Sequence, residues 1–175
     1  ISNLFIFLCE IYDYIDESII YNQEFNSYLT QFFNTSTMLN SAITYFLTLL
    51  ASNCESPEIL SYFPALISDI YKCIVPSEMQ YIQENGNNES INTIMNITSI
   101  VSSFANTSLN DSNYFILNAE PIILPLSDLW GISDDINSNL IDIISTISKI
   151  AILMFPNPNL ADQLHLFFEL IQHCL

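Results

Sequence analysis

The sequence predicts an all-α protein made of antiparallel helical hairpins stacked side by side as a segment of an α-solenoid. Three observations predict it. Apolar residues recur at three- and four-residue steps in segment after segment, which is the period of one helix face and not the alternation of a strand. Only two glycines occur in 175 residues, whereas sandwiches, barrels and phosphate loops depend on glycine at positive φ. The hairpins that the stripes define begin near positions 36, 88 and 133, at intervals of roughly 45 to 50 residues, close to the period of helical repeat arrays.

Taken in order, the first stretch predicts a helix around Leu4 to Tyr14 and a second around Glu17 to Phe33. Met38, Leu39, Ala42, Ile43, Phe46, Leu47 and Leu50 then trace a stripe, with Thr35 or Ser36 as its N-cap. The next helix starts at Ser56, where Ser56 can cap, Pro57 suits the first helical position and Glu58 favours the positive end of the helix dipole. Its stripe runs from Ile59 to Ile74. Pro64 is expected to kink or split it and Pro76 to end it. So short a gap around Asn53 to Ser56 predicts that these two helices are antiparallel neighbours.

Glu84 to Asn88 reads as a loop, followed by a stripe through Ile91, Ile94, Ile97, Val101 and Phe104. After a polar break at Asn106 to Ser112, an apolar helical stretch from Tyr114 to Trp130 is interrupted by Pro121 and Pro125 and closed by Gly131. Ser133 caps the next helix, with Asp134 and Asp135 in its first turn and Ile136, Leu140, Ile143, Ile144, Ile147 and Ile150 as its stripe. Pro156-Asn157-Pro158 stops that helix and starts a last one, whose face is Leu160, Leu164, Phe167, Phe168, Ile171 and Leu175.

The expected organisation is therefore one helical-repeat segment, 1–175, with hairpins at about 1–33, 36–75, 88–130 and 133–175. The period matches the HEAT/armadillo class of about 40–47 residues, lengthened by loops. The chain starts at Ile1 without a methionine and reaches Leu175 inside a running amphipathic pattern, so it is expected to be part of something longer. The stripes are wide, as suits helices buried between neighbouring repeats. A compact bundle of seven or eight helices would show similar stripes and stays open as an alternative.

Composition narrows the function. Half of the residues are hydrophobic, ample for a core, and two Lys/Arg stand against nineteen Asp/Glu, for a net charge of −17. An acidic surface keeps a chain soluble and also attracts basic partners. Direct nucleic-acid binding is excluded, because Lys72 and Lys149 cannot neutralise a phosphate backbone. No membrane insertion is expected: the apolar runs, such as Ile150 to Phe155, fall far short of about 20 residues. The N-terminal run Leu4 to Leu8 lacks a basic flank and a small-residue cleavage site. Cys9, Cys54, Cys73 and Cys174 are widely spaced with no CxxC pair, as expected of buried thiols in a reducing, intracellular compartment. Asn-x-Ser/Thr sequons at Asn34, Asn88, Asn96, Asn106 and Asn110 keep a secreted all-α glycoprotein as an alternative, although a chain this rich in Asn, Ser and Thr produces sequons by chance.

Candidate chemistry is sparse. His165 and His173 lie eight positions apart, whereas a metal pair on one helix needs i and i+3 or i+4 spacing. Asp134-Asp135 fits a helix N-terminus better than a metal or acid pair, and Asp13, Asp16 and Glu17 fit a solvated helix boundary. No nucleophile elbow, zinc-protease, phosphate-loop or dinucleotide fingerprint occurs. Trp130, beside Gly131 at a helix end, is placed to lock one repeat against the next. The sequence therefore predicts no catalytic residue, no metal ligand and no cofactor. It predicts a protein-binding scaffold and not an enzyme, with no individual partner-binding residue identified.

The stretch "IYDYIDESIIYNQEFNSYLTQFF", followed by "NSAITYFLTLLASNCESPEILSYFPALISDIYKCI" and "INTIMNITSIVSSFANTSLNDSNYFI", resembles the importin-β-type nuclear transport receptors (karyopherins), in particular their exportin and transportin branch. The first matches a helix carrying an acidic-hydrophobic stretch. The second matches a helical pair with a proline-bearing turn, and the third matches the repeat that follows. The resemblance implies a HEAT-repeat fragment that binds the small GTPase Ran and protein cargo, basic cargo suiting its acidity, in the cytoplasm and nucleus. The likeness lies in hydrophobic spacing, so no Ran-binding or nucleoporin-binding residue carries over. A HEAT-type scaffold in another assembly or in vesicle traffic shares the same spacing.

Overall fold

A computed structural model of the chain describes residues 2–11, 14–15, 23–33, 35–52, 63–86, 88–107, 109, 122, 124–154 and 172. Among these, the regular elements are α1 (Ser2–Glu10), α2 (Gln23–Thr30), α3 (Thr37–Ser52), α4 (Phe63–Cys73), α5 (Val75–Asn85), α6 (Asn88–Thr107), a 3-10 helix (Leu124–Leu129) and α7 (Asp134–Met154). The described residues contain no strand. The all-helical expectation holds.

Two helix starts are built as the sequence implies. Ser36 Oγ accepts a hydrogen bond from Leu39 N at 3.2 Å, and Ser133 Oγ accepts one from Ile136 N at 3.2 Å. Each satisfies an amide that the first turn leaves without an intrahelical acceptor. Asp134 and Asp135 occupy the first turn of α7, where the helix dipole favours negative charge. The cap expected at Ser56 to Glu58, the break at Pro156 to Pro158 and the stripe from Leu160 to Leu175 lie outside the described residues.

Proline chemistry produces two differences. Pro76 does not end a helix; it sits in the first turn of α5, an element the sequence reading left unassigned. A first-turn residue has no intrahelical use for its N–H, so proline is tolerated there. Ile74 stays near helical geometry, its N–H bonding Ile70 O at 2.8 Å and its carbonyl accepting from Glu78 N at 3.1 Å. α4 and α5 are thus two halves of one proline-interrupted path. Pro64 lies in the first described turn of α4, and the stripe residues expected before it, Ile59 and Leu60, lie outside the described residues. Around Pro125 the described chain is a 3-10 helix and not the expected α-helix. Smaller corrections concern α1, which stops at Glu10 and tightens, with Tyr14 N bonding Ile11 O at 2.9 Å, and Met38, which is exposed and not part of the stripe.

Of the expected loop at Glu84 to Asn88, Glu84 and Asn85 belong to α5 and Asn88 to α6, and Gly86 is the described residue between them. Gly86 adopts φ 59°, and its N–H bonds Ile82 O at 3.0 Å, the left-handed glycine ending of a helix. So short a turn makes α5 and α6 antiparallel.

The core is one apolar cluster drawn from α1, α2, α3, α4, α6, the 3-10 helix and α7, with Val75, Met79 and Ile82 of α5 partly buried against it. Phe46, fully buried on α3, meets Phe5 of α1 at 6.0 Å and Phe25 of α2 at 6.2 Å, and Phe63 of α4 meets Phe104 of α6 at 6.1 Å. Burying rings of this size stabilises the fold by about 2–3 kcal/mol each. The packing has an order. α3 lies most extensively against α6, α6 next against α7, and α1 against α3, so α1, α3, α6 and α7 form a row. α4 and α5 pack on one another and against α6. Among the described residues the extensive partner of α3 is therefore α6 and not α4. α6 and α7 run parallel, because Asn139 meets Met95, Thr98 and Ser99 while Thr146, further along, meets Asn106.

Candidate functional site

The residues singled out for possible chemistry do not assemble. Asp134 and Asp135 are exposed at the start of α7, with no third ligand beside them among the described residues. Among the described residues, no group of three His, Cys, Asp or Glu side chains could hold a metal ion. Asp13, Asp16, Glu17, Cys54, His165, His173 and Cys174 lie outside the described residues. Cys9 and Cys73 are half-buried free thiols. Burial pushes the Cys9 thiol up, opposed by a hydrogen bond from its own backbone and reinforced by the Glu10 charge. That is the reverse of nucleophile activation. Trp130 is half-buried against the core at the turn that follows the 3-10 helix, its backbone N–H donating to Ser127 O at 3.4 Å.

What the fold does assemble is a polar seam along the helix row. In a helix, Thr and Ser hydroxyls donate back to a carbonyl three or four residues earlier, which leaves their lone pairs facing outward. Thr44 Oγ1 does this to Asn40 O at 2.8 Å, and Thr98 Oγ1 and Ser99 Oγ do it to Met95 O at 2.8 and 3.0 Å. The neighbouring helix supplies an asparagine to each. Asn96 of α6 donates through Nδ2 to Thr44 Oγ1 at 3.3 Å and Ser41 O at 3.4 Å on α3. Asn139 of α7 donates to Thr98 Oγ1 at 2.9 Å, Ser99 Oγ at 3.2 Å and Met95 O at 3.4 Å on α6. The same device, a carboxamide laid on a hydroxyl and a carbonyl, joins α3 to α6 and α6 to α7. Thr48 Oγ1, 3.2 Å from Asn96 O, and Thr146 Oγ1, donating to Asn106 Oδ1 at 3.0 Å, extend it.

A second polar contact ties α3 to α5. Asn40 Nδ2 donates to Glu78 Oε1 at 2.6 Å, with both residues buried. Glu78 Oε2 and Ser90 Oγ are buried with no hydrogen-bond partner among the described residues. These groups fix register; nothing in the arrangement supplies a nucleophile with a base, or donors aimed at a common point.

The seam was not read from the sequence. Asn96 and Asn139 each stand one residue before an apolar stripe position, Ile97 and Leu140, and that recurring offset is the signal that could have found them. The exposed acidic residues among those described, Glu10, Glu24, Glu84, Asp128, Asp134, Asp135 and Asp142, are spread over α1, α2, α5, the 3-10 helix and α7. No helix among the described residues is long and apolar enough to cross a membrane. Comparison of the chain with protein-family models, curated proteins and solved structures returns no match.

Proposed function

We propose that this chain is a segment of a protein-binding helical-repeat scaffold of HEAT/armadillo type, in which the row α1–α3–α6–α7 is one layer of an α-solenoid. The observation that carries the reading is repetition: α6 and α7 are stacked parallel, and the carboxamide clamp of Asn139 on α6 reproduces that of Asn96 on α3. A layer of like helices in register is what stacked hairpins produce. The net charge of −17 draws basic proteins toward such a surface. Joined to the resemblance to importin-β-type receptors, this makes Ran in its GTP form and basic cargo the first partners to test. The test is capture of GTP-loaded Ran by the full-length protein; capture that needs GTP supports the transport reading, and equal or absent capture with GTP and GDP removes it.

The spread of exposed acid favours a second reading, a HEAT-type scaffold in another assembly or in vesicle traffic. A receptor that grips basic cargo on one layer would gather its acid there, and the described acidic residues are not gathered. The secreted-glycoprotein alternative meets an obstacle at Asn96, whose Nδ2 is committed to α3. A glycan on that nitrogen would part α3 from α6. Finding Asn96 glycosylated in native material would overturn the helix row itself.

A further inference from the structure

We draw no further inference here: the strongest candidate, the outer face of α1 at the end of the helix row, where Leu4, Ile6 and Phe7 are each about half exposed, is an unpartnered apolar face and nothing in the structure shows what covers it.

Discussion

At the scale of single residues, buried polar groups offer the sharpest tests. Tyr71 donates its hydroxyl to Ile122 O at 3.0 Å, and burial holds the phenol well above its ordinary range. A raised acid favours the protonated form in the folded state, so its stabilisation is intact below the unfolded phenol value of about 10 and is lost as pH climbs beyond it. Urea denaturation should therefore show stability falling above about pH 10, by up to about 1.4 kcal/mol per pH unit from this one group. Tyr71→Phe should cost about 1–2 kcal/mol at pH 7 by stranding the Ile122 carbonyl, yet flatten the alkaline loss. An unchanged alkaline slope would show that Tyr71 is not the group responsible. Asn40 and Glu78 pose the complementary case. Asn40→Ala leaves Glu78 buried with neither oxygen bonded and should cost about 1–3 kcal/mol, whereas replacing both residues, Asn40→Leu with Glu78→Met, should cost less than the sum of the single changes. If the double variant is as unstable as the sum of its single changes, the two side chains do not interact as described.

At the scale of elements, the sequence was most legible where one residue type has one physical job. Ser36 and Ser133 cap because a short side-chain oxygen at that position reaches an amide of the first turn. The stripes of α3, α6 and α7 were legible because their apolar positions sit at helical spacing, and Ile43, Phe46, Leu47, Ile94, Ile97, Val101, Leu140, Ile143 and Ile147 are all buried. Proline was misread because it has two opposite roles, breaking a helix interior and suiting a first turn. Only tertiary context chose the second role for Pro76, and with it α5 was lost from the reading. Gly86 tests the turn that makes α5 and α6 a hairpin. Its φ is 59°, and a Cβ placed there would meet nothing within 4 Å. The cost of Gly86→Ala is then backbone strain alone, about 1–2 kcal/mol, and Gly86→Asn should cost less because asparagine tolerates the left-handed region. Equal stability of all three proteins in urea would mean that this residue is not left-handed in solution.

At the scale of the whole molecule, the contacts the sequence hid are those between distant helices. Hydrophobic spacing shows that a face is buried and not which helix covers it, so the extensive packing of α3 on α6 among the described residues was not read from the sequence. The carboxamide clamps that fix this pairing are single polar residues flanking the stripes, and their partners lie 40 to 55 residues away. A row predicts unequal consequences for damage at its end and at its centre, because repeat-like stacks are coupled mainly through nearest neighbours. Phe5 joins α1 to α3 at one end through Phe46, while Phe104 lies in α6, which touches α3, α4, α5 and α7. Phe5→Ala and Phe104→Ala should each remove about 3–5 kcal/mol from the packing they serve. Amide hydrogen exchange should separate them: Phe5→Ala speeds exchange in α1 and α3 and leaves α7 protected, whereas Phe104→Ala speeds exchange in every helix that leans on α6. Loss of protection throughout the chain in both variants would instead mark a single cooperative bundle, and the row could then no longer support a repeat-scaffold reading.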